Sequence, residues 1–174
     1  MESIPYPLPL RAAALALIVS CLASPEAWSQ PWRVYANERF GTSADVPATW
    51  KSDPPPENGD GLVFRSPDGL ASITVSGSLH ATATVAEEMR IFEEPEPGEK
   101  ITSRERGSRS LILTGRRGDV ILYAKHLLSC SDQVWNNLTI EYPARQKAMY
   151  EPLVAHVAKS LRPGRSAQVE ECNK

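Results

Sequence analysis

Histidine, cysteine and serine side chains carry much of enzyme chemistry and metal binding, and their spacing in this chain matches no recognised site. The three histidines are His80, His126 and His156, and none of them belongs to an HxH or HExxH pattern. A serine nucleophile is expected in a G-x-S-x-G turn, which the sequence lacks. The sequence therefore predicts no catalytic residue, no metal and no cofactor, and favours a role without catalysis.

Aromatic and basic residues in the second half of the chain are better candidates for binding. Trp135 lies in an alternating segment, on the opposite face from its apolar neighbours. It therefore either packs beneath a helix or loop or anchors a ligand or partner at the surface. Tyr123, Arg116 and Arg117 precede it, and the arginines either line a binding edge or belong to a solvated sheet face. The candidate binding residues are thus Trp135, Tyr123, Arg116 and Arg117.

Length and composition restrict the class of protein. The chain has 174 residues, of which 41% are hydrophobic, with 19 basic and 21 acidic residues and a formal net charge of -2. This length and apolar content suit one domain with a hydrophobic core. The near-neutral charge argues against a nucleic-acid partner. No apolar run reaches the roughly 18 residues of a spanning helix, so no membrane span is expected.

The first 29 residues resemble a bacterial signal peptide. Arg11 stands before an uncharged apolar stretch from Ala12 to Ala23, and Ala27-Trp28-Ser29 places small residues at the two positions that a signal peptidase reads. We expect cleavage before Gln30, which gives a signal peptide at 1–29, a single domain at 30–164 and a C-terminal tail at 165–174. The expected location is the periplasm or the medium.

A second interpretation of the same segment is a lipoprotein signal. Ile18-Val19-Ser20-Cys21 resembles a lipobox, although leucine is usual where Ile18 stands. Acylation of Cys21 would anchor the chain to a membrane, because each buried methylene of an acyl chain contributes about 0.8 kcal/mol.

Two cysteines remain after the signal segment, Cys130 and Cys172. In an oxidising compartment they are expected to form one disulfide, and the alternative is two unpaired thiols. The bridge would tie the end of a predicted strand to the tail at 165–174, which has no apolar periodicity.

Period-two alternation predicts strands over most of the chain. The clearest example is Ser72–Leu79, in which apolar and hydroxyl residues alternate. An opening hairpin of two strands is expected over Trp32–Val46. Further strands are expected around Leu62–Ser66 and in four segments between Ile101 and Tyr142. Trp50–Gly61 contains three consecutive prolines and is predicted to be a loop, and Gly115–Gly118 is predicted to be a hairpin turn.

Two helices complete the predicted order. Thr84-Val85-Ala86-Glu87 fits a capping box at the start of a helix of about ten residues. A second helix is predicted by an apolar stripe from Tyr150 to Leu161 and ends at Pro163-Gly164. Runs of strands interrupted by single helices indicate an α+β fold, with an antiparallel sheet of about six to eight strands and two helices packed on it.

Three segments carry a resemblance: FRSPDGLASITVSG, LTGRRGDVILYAKHLL and WNNLTIEYPARQKAMYEPLVAHVAKSLRPG. They resemble a group of exported bacterial proteins without an assigned function, and the order of elements from Trp32 to Pro163 is similar to the PsbP/Mog1-like α/β sandwich. The resemblance implies a small binding or assembly factor without catalysis, and its motifs are structural.

These observations favour an exported, non-enzymatic domain that binds an envelope protein or a cell-wall component. One alternative is a small periplasmic hydrolase or small-ligand carrier with a site between the long loop and the sheet, which would require polar groups, such as His126 and a carboxylate, to converge in a pocket. Another is a lipoprotein anchored through Cys21.

Overall fold

The computed structural model describes residues 30–174, so the expected signal peptide, with Cys21, lies outside the described residues. Within this range the chain forms a two-stranded sheet, a seven-stranded sheet and two α-helices. None of the helices in this range is long and apolar enough to cross a bilayer. In chain order the elements are β1 (Trp32–Ala36), β2 (Ser43–Pro47), β3 (Lys51–Ser52), β4 (Gly61–Arg65), β5 (Ser72–Leu79), α1 (Val85–Phe92), β6 (Glu99–Arg106), β7 (Ser110–Arg117), β8 (Val120–Ser129), β9 (Val134–Pro143) and α2 (Lys147–Ser160).

The large sheet is antiparallel throughout, with the strand order β3-β4-β5-β9-β8-β7-β6. β9 lies at its centre between β5 and β8, and β1 and β2 form the separate hairpin. The predicted α+β fold with an antiparallel sheet and two helices is therefore confirmed. The short strand β3 lies inside the segment that was predicted to be a loop.

The turn between β7 and β8 is shorter than predicted. Arg117 pairs with Val120 at the end of the ladder, so that only Gly118 and Asp119 connect the strands. Gly118 has a φ of 60°, a left-handed conformation that two-residue hairpin turns require. Arg116 and Arg117 therefore belong to a strand, in which consecutive side chains point to opposite faces.

Each face of the sheet carries its own hydrophobic core beneath one helix. On one face, Leu138 and Ile140 of β9 pack with Leu153 and Val157 of α2. On the other face, Trp135 of the same strand packs with the apolar side of α1. The odd and even positions of β9 thus reach different cores, and the sheet lies between α1 and α2.

The two helices begin differently. The hydroxyl of Thr84 accepts a hydrogen bond of 3.2 Å from the amide of Glu87, as a capping residue does. Glu88, next to the predicted partner Glu87, accepts a bond of 3.1 Å from the amide of Ala81, which lies before the capping residue. α2 follows a 3-10 turn at 144–146, so Pro152 lies inside the helix. The predicted apolar stripe is the buried side of α2.

The C-terminal segment is fixed to the body of the domain. Cys130 and Cys172 form the predicted disulfide. Val169 is buried beside Phe40 and Val134, and the two cysteines pack against this small cluster. The hydroxyl of Ser166 also donates a hydrogen bond of 2.6 Å to the carbonyl oxygen of Arg39. The segment at 165–174 is therefore held by packing and by the bridge.

Candidate functional site

Two concave sites lie on opposite faces of the sheet and share no residue. One lies between α2 and strands β7 to β9, has a volume of about 620 Å³, and is called here the helix groove. The other lies between the sheet, the end of α1 and the segment that follows it, has a volume of about 420 Å³, and is called here the acidic cleft. Both volumes are in the range of small-molecule sites.

The helix groove is apolar at its base and charged at its rim. α2 lies over the middle of the sheet but leaves the strands toward β6 uncovered, and this step in the surface forms the groove. The charged side chains at its rim are Arg116, Lys147 and Glu151. Lys147 and Glu151 form an ion pair one helical turn apart. The apolar and aromatic lining consists of Ile121, Tyr123, Tyr142, Val154, Ala155 and Ala158.

Arg116 supplies an exposed positive charge beside this lining. Its side chain is 52% exposed, and its ion-pair contact is to Asp119 at 3.8 Å. Such a long, exposed pair contributes little free energy, so that Arg116 can turn toward a bound group at small cost.

Tyr123 gives the groove a hydroxyl group on an aromatic surface. The residue is half-buried, and burial raises the pKa of its phenol, with a smaller contribution from the charge of Glu105. The phenol therefore stays protonated at neutral pH and can donate a hydrogen bond as well as pack against an apolar group.

The acidic cleft contains four carboxylates and one guanidinium. Glu94 and Glu96 lie in the segment between α1 and β6, Glu99 begins β6, and Glu141 belongs to β9. Arg117 donates hydrogen bonds of 2.8 Å to Glu96 and 2.6 Å to Glu141. One cationic side chain thus already occupies part of the cleft.

His126 lies at the base of the acidic cleft. It is 8% exposed, and its ring stacks on Phe92 with 4.3 Å between the centroids and an angle of 5°. The Nδ1 atom lies 2.8 Å from Oδ1 of Asn137, whose amide nitrogen donates to Ser78. Because Oδ1 is an acceptor, Nδ1 carries the hydrogen, and Nε2 of the neutral ring is an acceptor. Burial lowers the pKa of His126, and the bond to Asn137 opposes this effect in part.

The fold is similar to that of a solved protein. The solution structure of cyanobacterial PsbP (CyanoP) from Synechocystis matches with a TM-score of 0.59 over 81% of this chain and 97% of that chain, at 13% sequence identity. This chain has a PsbP-like fold. At that level of identity the likeness establishes the fold alone. No protein-family model matches the sequence, and no curated protein matches it.

The PsbP-like sheet brings two of the four candidate binding residues together. Tyr123 and Arg116 line the helix groove, because both lie at positions that face α2. Arg117 follows in the same strand and lines the acidic cleft on the other face. The sequence pattern placed both arginines in one turn and so could not separate them.

Trp135 lies in the core of the PsbP-like domain instead of on its surface. Its exposure is 0%, and α1 covers it through Met89 and Phe92. The sequence allowed Trp135 either to pack beneath a helix or loop or to anchor a ligand at the surface, and the structure shows it beneath a helix. Trp135 therefore offers no surface to a ligand in this conformation.

Three arginines of β6 and of the turn between β6 and β7 are paired with carboxylates. Glu93 contacts both Arg104 and Arg106, and Arg109 lies 2.7 Å from Asp132. Their charges are thus neutralised locally, so they add little free positive charge to a binding edge with Arg116 and Arg117. Within residues 30–174, no three histidine, cysteine, aspartate or glutamate side chains are grouped as a metal ion would need.

Proposed function

We propose that this chain is an exported, non-enzymatic binding domain that takes a segment of an envelope protein into the helix groove. The observation that supports this proposal is the groove itself, a concave apolar surface beside α2 with Tyr123 and Arg116 at one wall. Apolar and aromatic surfaces with a few directed polar groups are typical of binding sites for protein partners.

The lining favours a peptide over a cell-wall glycan. Sugar polymers present many hydroxyl groups, whereas the groove offers mainly side-chain carbon from Ile121, Val154, Ala155 and Ala158. The rim carries two basic side chains, Arg116 and Lys147, and one acidic side chain, Glu151. The occupant that fits best is an apolar protein segment with an acidic residue beside it, which Arg116 can contact.

Replacing Ala155 by glutamate tests this assignment. Ala155 is exposed on α2 and lines the groove, so a longer acidic side chain would fill the groove and neutralise Arg116 without entering the core. We expect Ala155→Glu to weaken binding of the purified partner by at least about tenfold, because a steric and a charge defect act together. The measurement is the dissociation constant for an envelope protein recovered with the wild-type chain and then purified.

The matched control is Ala86→Glu, the same change at an exposed position of α1, on the other face of the sheet. It should bind the partner as the wild type does. Equal affinity of Ala155→Glu and the wild type would contradict the proposal. So would binding to isolated cell-wall glycan that neither substitution changes.

Export is the second part of the proposal, and the amino-terminal sequence and the disulfide support it. Disulfides persist in oxidising compartments such as the periplasm and are rare in the cytosol. In bacterial cells we expect mass spectrometry of the isolated protein to find an amino terminus at Gln30. A lipid-modified Cys21 would instead support the anchored form, and a chain that retains Met1 would contradict export.

A further inference from the structure

We propose that the acidic cleft is a binding site for a small organic cation, a primary ammonium group attached to an apolar body. This site goes beyond the proposed function, since it lies on the opposite face of the sheet from the helix groove and shares no residue with it. Three observations carry the inference: the unbalanced charge of the cleft, the acceptor at its base and its apolar wall.

The charge of the cleft is unbalanced even after its own ion pairs form. Arg117 bridges Glu96 and Glu141 at 2.8 Å and 2.6 Å. Glu94 and Glu99 have no ion-pair partner among residues 30–174. The neighbouring cations Arg104 and Arg106 are held by Glu93, and Arg65 is held by Asp53. The cleft therefore carries two carboxylates without an ion-pair partner, of which Glu99 accepts a hydrogen bond from the amide of Glu96, and two that share one guanidinium.

An independent observation is the acceptor at the base of the cleft. His126 is more than nine-tenths buried, and its Nδ1 is used by Asn137. Its Nε2 hydrogen-bonds no group in residues 30–174, and the imidazole lines the cleft. Nε2 is thus open to a hydrogen-bond donor that enters the cleft. An ammonium group supplies donors only, which suits both an imidazole nitrogen acceptor and the carboxylates of the cleft.

The remaining wall of the cleft accounts for an apolar body on the ligand. Phe92, Leu113, Leu122 and Ala124 contribute carbon surface to the lining of the cleft. A volume of about 420 Å³ fits a molecule of modest size, such as an arylalkylamine. An anion of the same shape would face the carboxylates and is disfavoured by like-charge repulsion.

The test uses 2-phenylethylamine hydrochloride as the probe with the disulfide-bonded mature chain at about pH 7. Its titration is followed by the amide shifts of residues around the cleft and by the ring nitrogen shifts of His126. We expect saturable binding that is at least about fivefold tighter than that of 2-phenylethanol, which has the same shape without the charge. Phenylacetate should not bind, and added salt should weaken the binding of the amine.

Two variants are expected to act in opposite directions. Glu94→Gln removes a free carboxylate with little change in shape, and it should weaken amine binding about threefold. Arg117→Gln removes the internal cation that competes for Glu96 and Glu141, and it should strengthen amine binding by a similar factor. The matched control is Glu57→Gln, at an exposed glutamate outside the cleft, which should bind as the wild type does.

The opposite signs separate this proposal from a general effect on folding, which would weaken binding in both variants. Equal affinity for the amine and the alcohol would overturn it, as would shifts that map outside the cleft or weaker binding by Arg117→Gln. Tighter binding of N-acetyl-lysine amide than of 2-phenylethylamine would also overturn it, because the cleft would then select a lysine side chain of a protein. Loss of partner binding in Ala155→Glu with amine binding intact would show that the two sites are independent.

Discussion

Trp135→Ala is expected to lower the free energy of unfolding by about 3–5 kcal/mol, the range measured for buried tryptophan and phenylalanine truncations. The side chain has 0% exposure and packs with Met89, Leu111 and Leu128 beneath α1. Phe92 meets it edge to face, with 5.2 Å between the ring centroids. Because α1 rests on this residue, its loss should loosen the helix as well as leave a cavity. The measurement is urea unfolding followed by far-ultraviolet circular dichroism, which does not depend on the indole fluorescence that the substitution removes.

Trp135→Phe and Trp32→Ala are the controls for this prediction. The indole Nε1 of Trp135 has no hydrogen-bond partner among the described residues, so phenylalanine loses volume but no bond and should cost less than half as much. Trp32 is half-buried and stacks on His156 at the surface, so its truncation should cost about 1 kcal/mol. A Trp135→Ala protein with wild-type stability and impaired binding would contradict the buried role and restore Trp135 as a surface anchor.

The position of Trp135 shows what alternation can and cannot specify. The alternation in β9 correctly predicts that Trp135 and Leu138 lie on different faces. It does not say what covers each face, because that depends on where the chain places α1 and α2. Met89 and Phe92 follow Val85 at helical spacing in the sequence, and such a stripe requires an apolar surface to cover. Combining the two patterns would have favoured a buried Trp135.

The hairpin between β7 and β8 explains why the arginines were not assigned to separate sites. Glycines on both sides of Arg116 and Arg117 suggested a four-residue turn, but only Gly118 has the left-handed conformation. Gly115 remains in β7, where an added Cβ would approach the backbone oxygen of Lys100 to 3.1 Å. Turn residues thus predicted that a hairpin forms there but not how far its strands extend, and that extension decides which face each arginine reaches.

The acidic cleft could not be found from sequence spacing because its residues come together only through the sheet. Arg117 is 21 residues from Glu96 and 24 from Glu141, and the first contact depends on the pairing of β6 with β7, the second on the order β7-β8-β9. Pro95 and Pro97 are typical of a loop after a helix, yet the direction of that loop is set by how α1 packs on Trp135. His126 was identified as a residue of interest, whereas its free Nε2 emerges from the contact with Asn137.

Removing the disulfide in the double variant Cys130→Ser/Cys172→Ser should lower the free energy of unfolding by about 3 kcal/mol. The bridge closes a loop over a sequence separation of 42, for which the chain-entropy model gives about 4 kcal/mol. The expected loss is smaller than this value because the turn of the bridge is strained: Cys130, Ser131 and Asp132 have positive φ values of 55°, 53° and 67°. Residues other than glycine adopt this conformation at a cost, and without the bridge the turn is freer to relax.

The turn has other restraints, which keep the expected loss below complete unfolding. His80 Nδ1 lies 3.0 Å from the carbonyl oxygen of Asp132, and Arg109 pairs with its carboxylate. The tail lies at the end of the chain, and without the bridge it is held by Val169 in its small cluster and by hydrogen bonds of Ser166, Ala167 and Gln168 to residues 38–39. Hydrogen exchange of the double variant should therefore accelerate at 165–174 first and leave β5, β8 and β9 protected. Wild-type protein with a reductant should behave in the same way. A double variant within about 1 kcal/mol of the wild type, with the tail still protected, would show that packing alone holds the C-terminal segment.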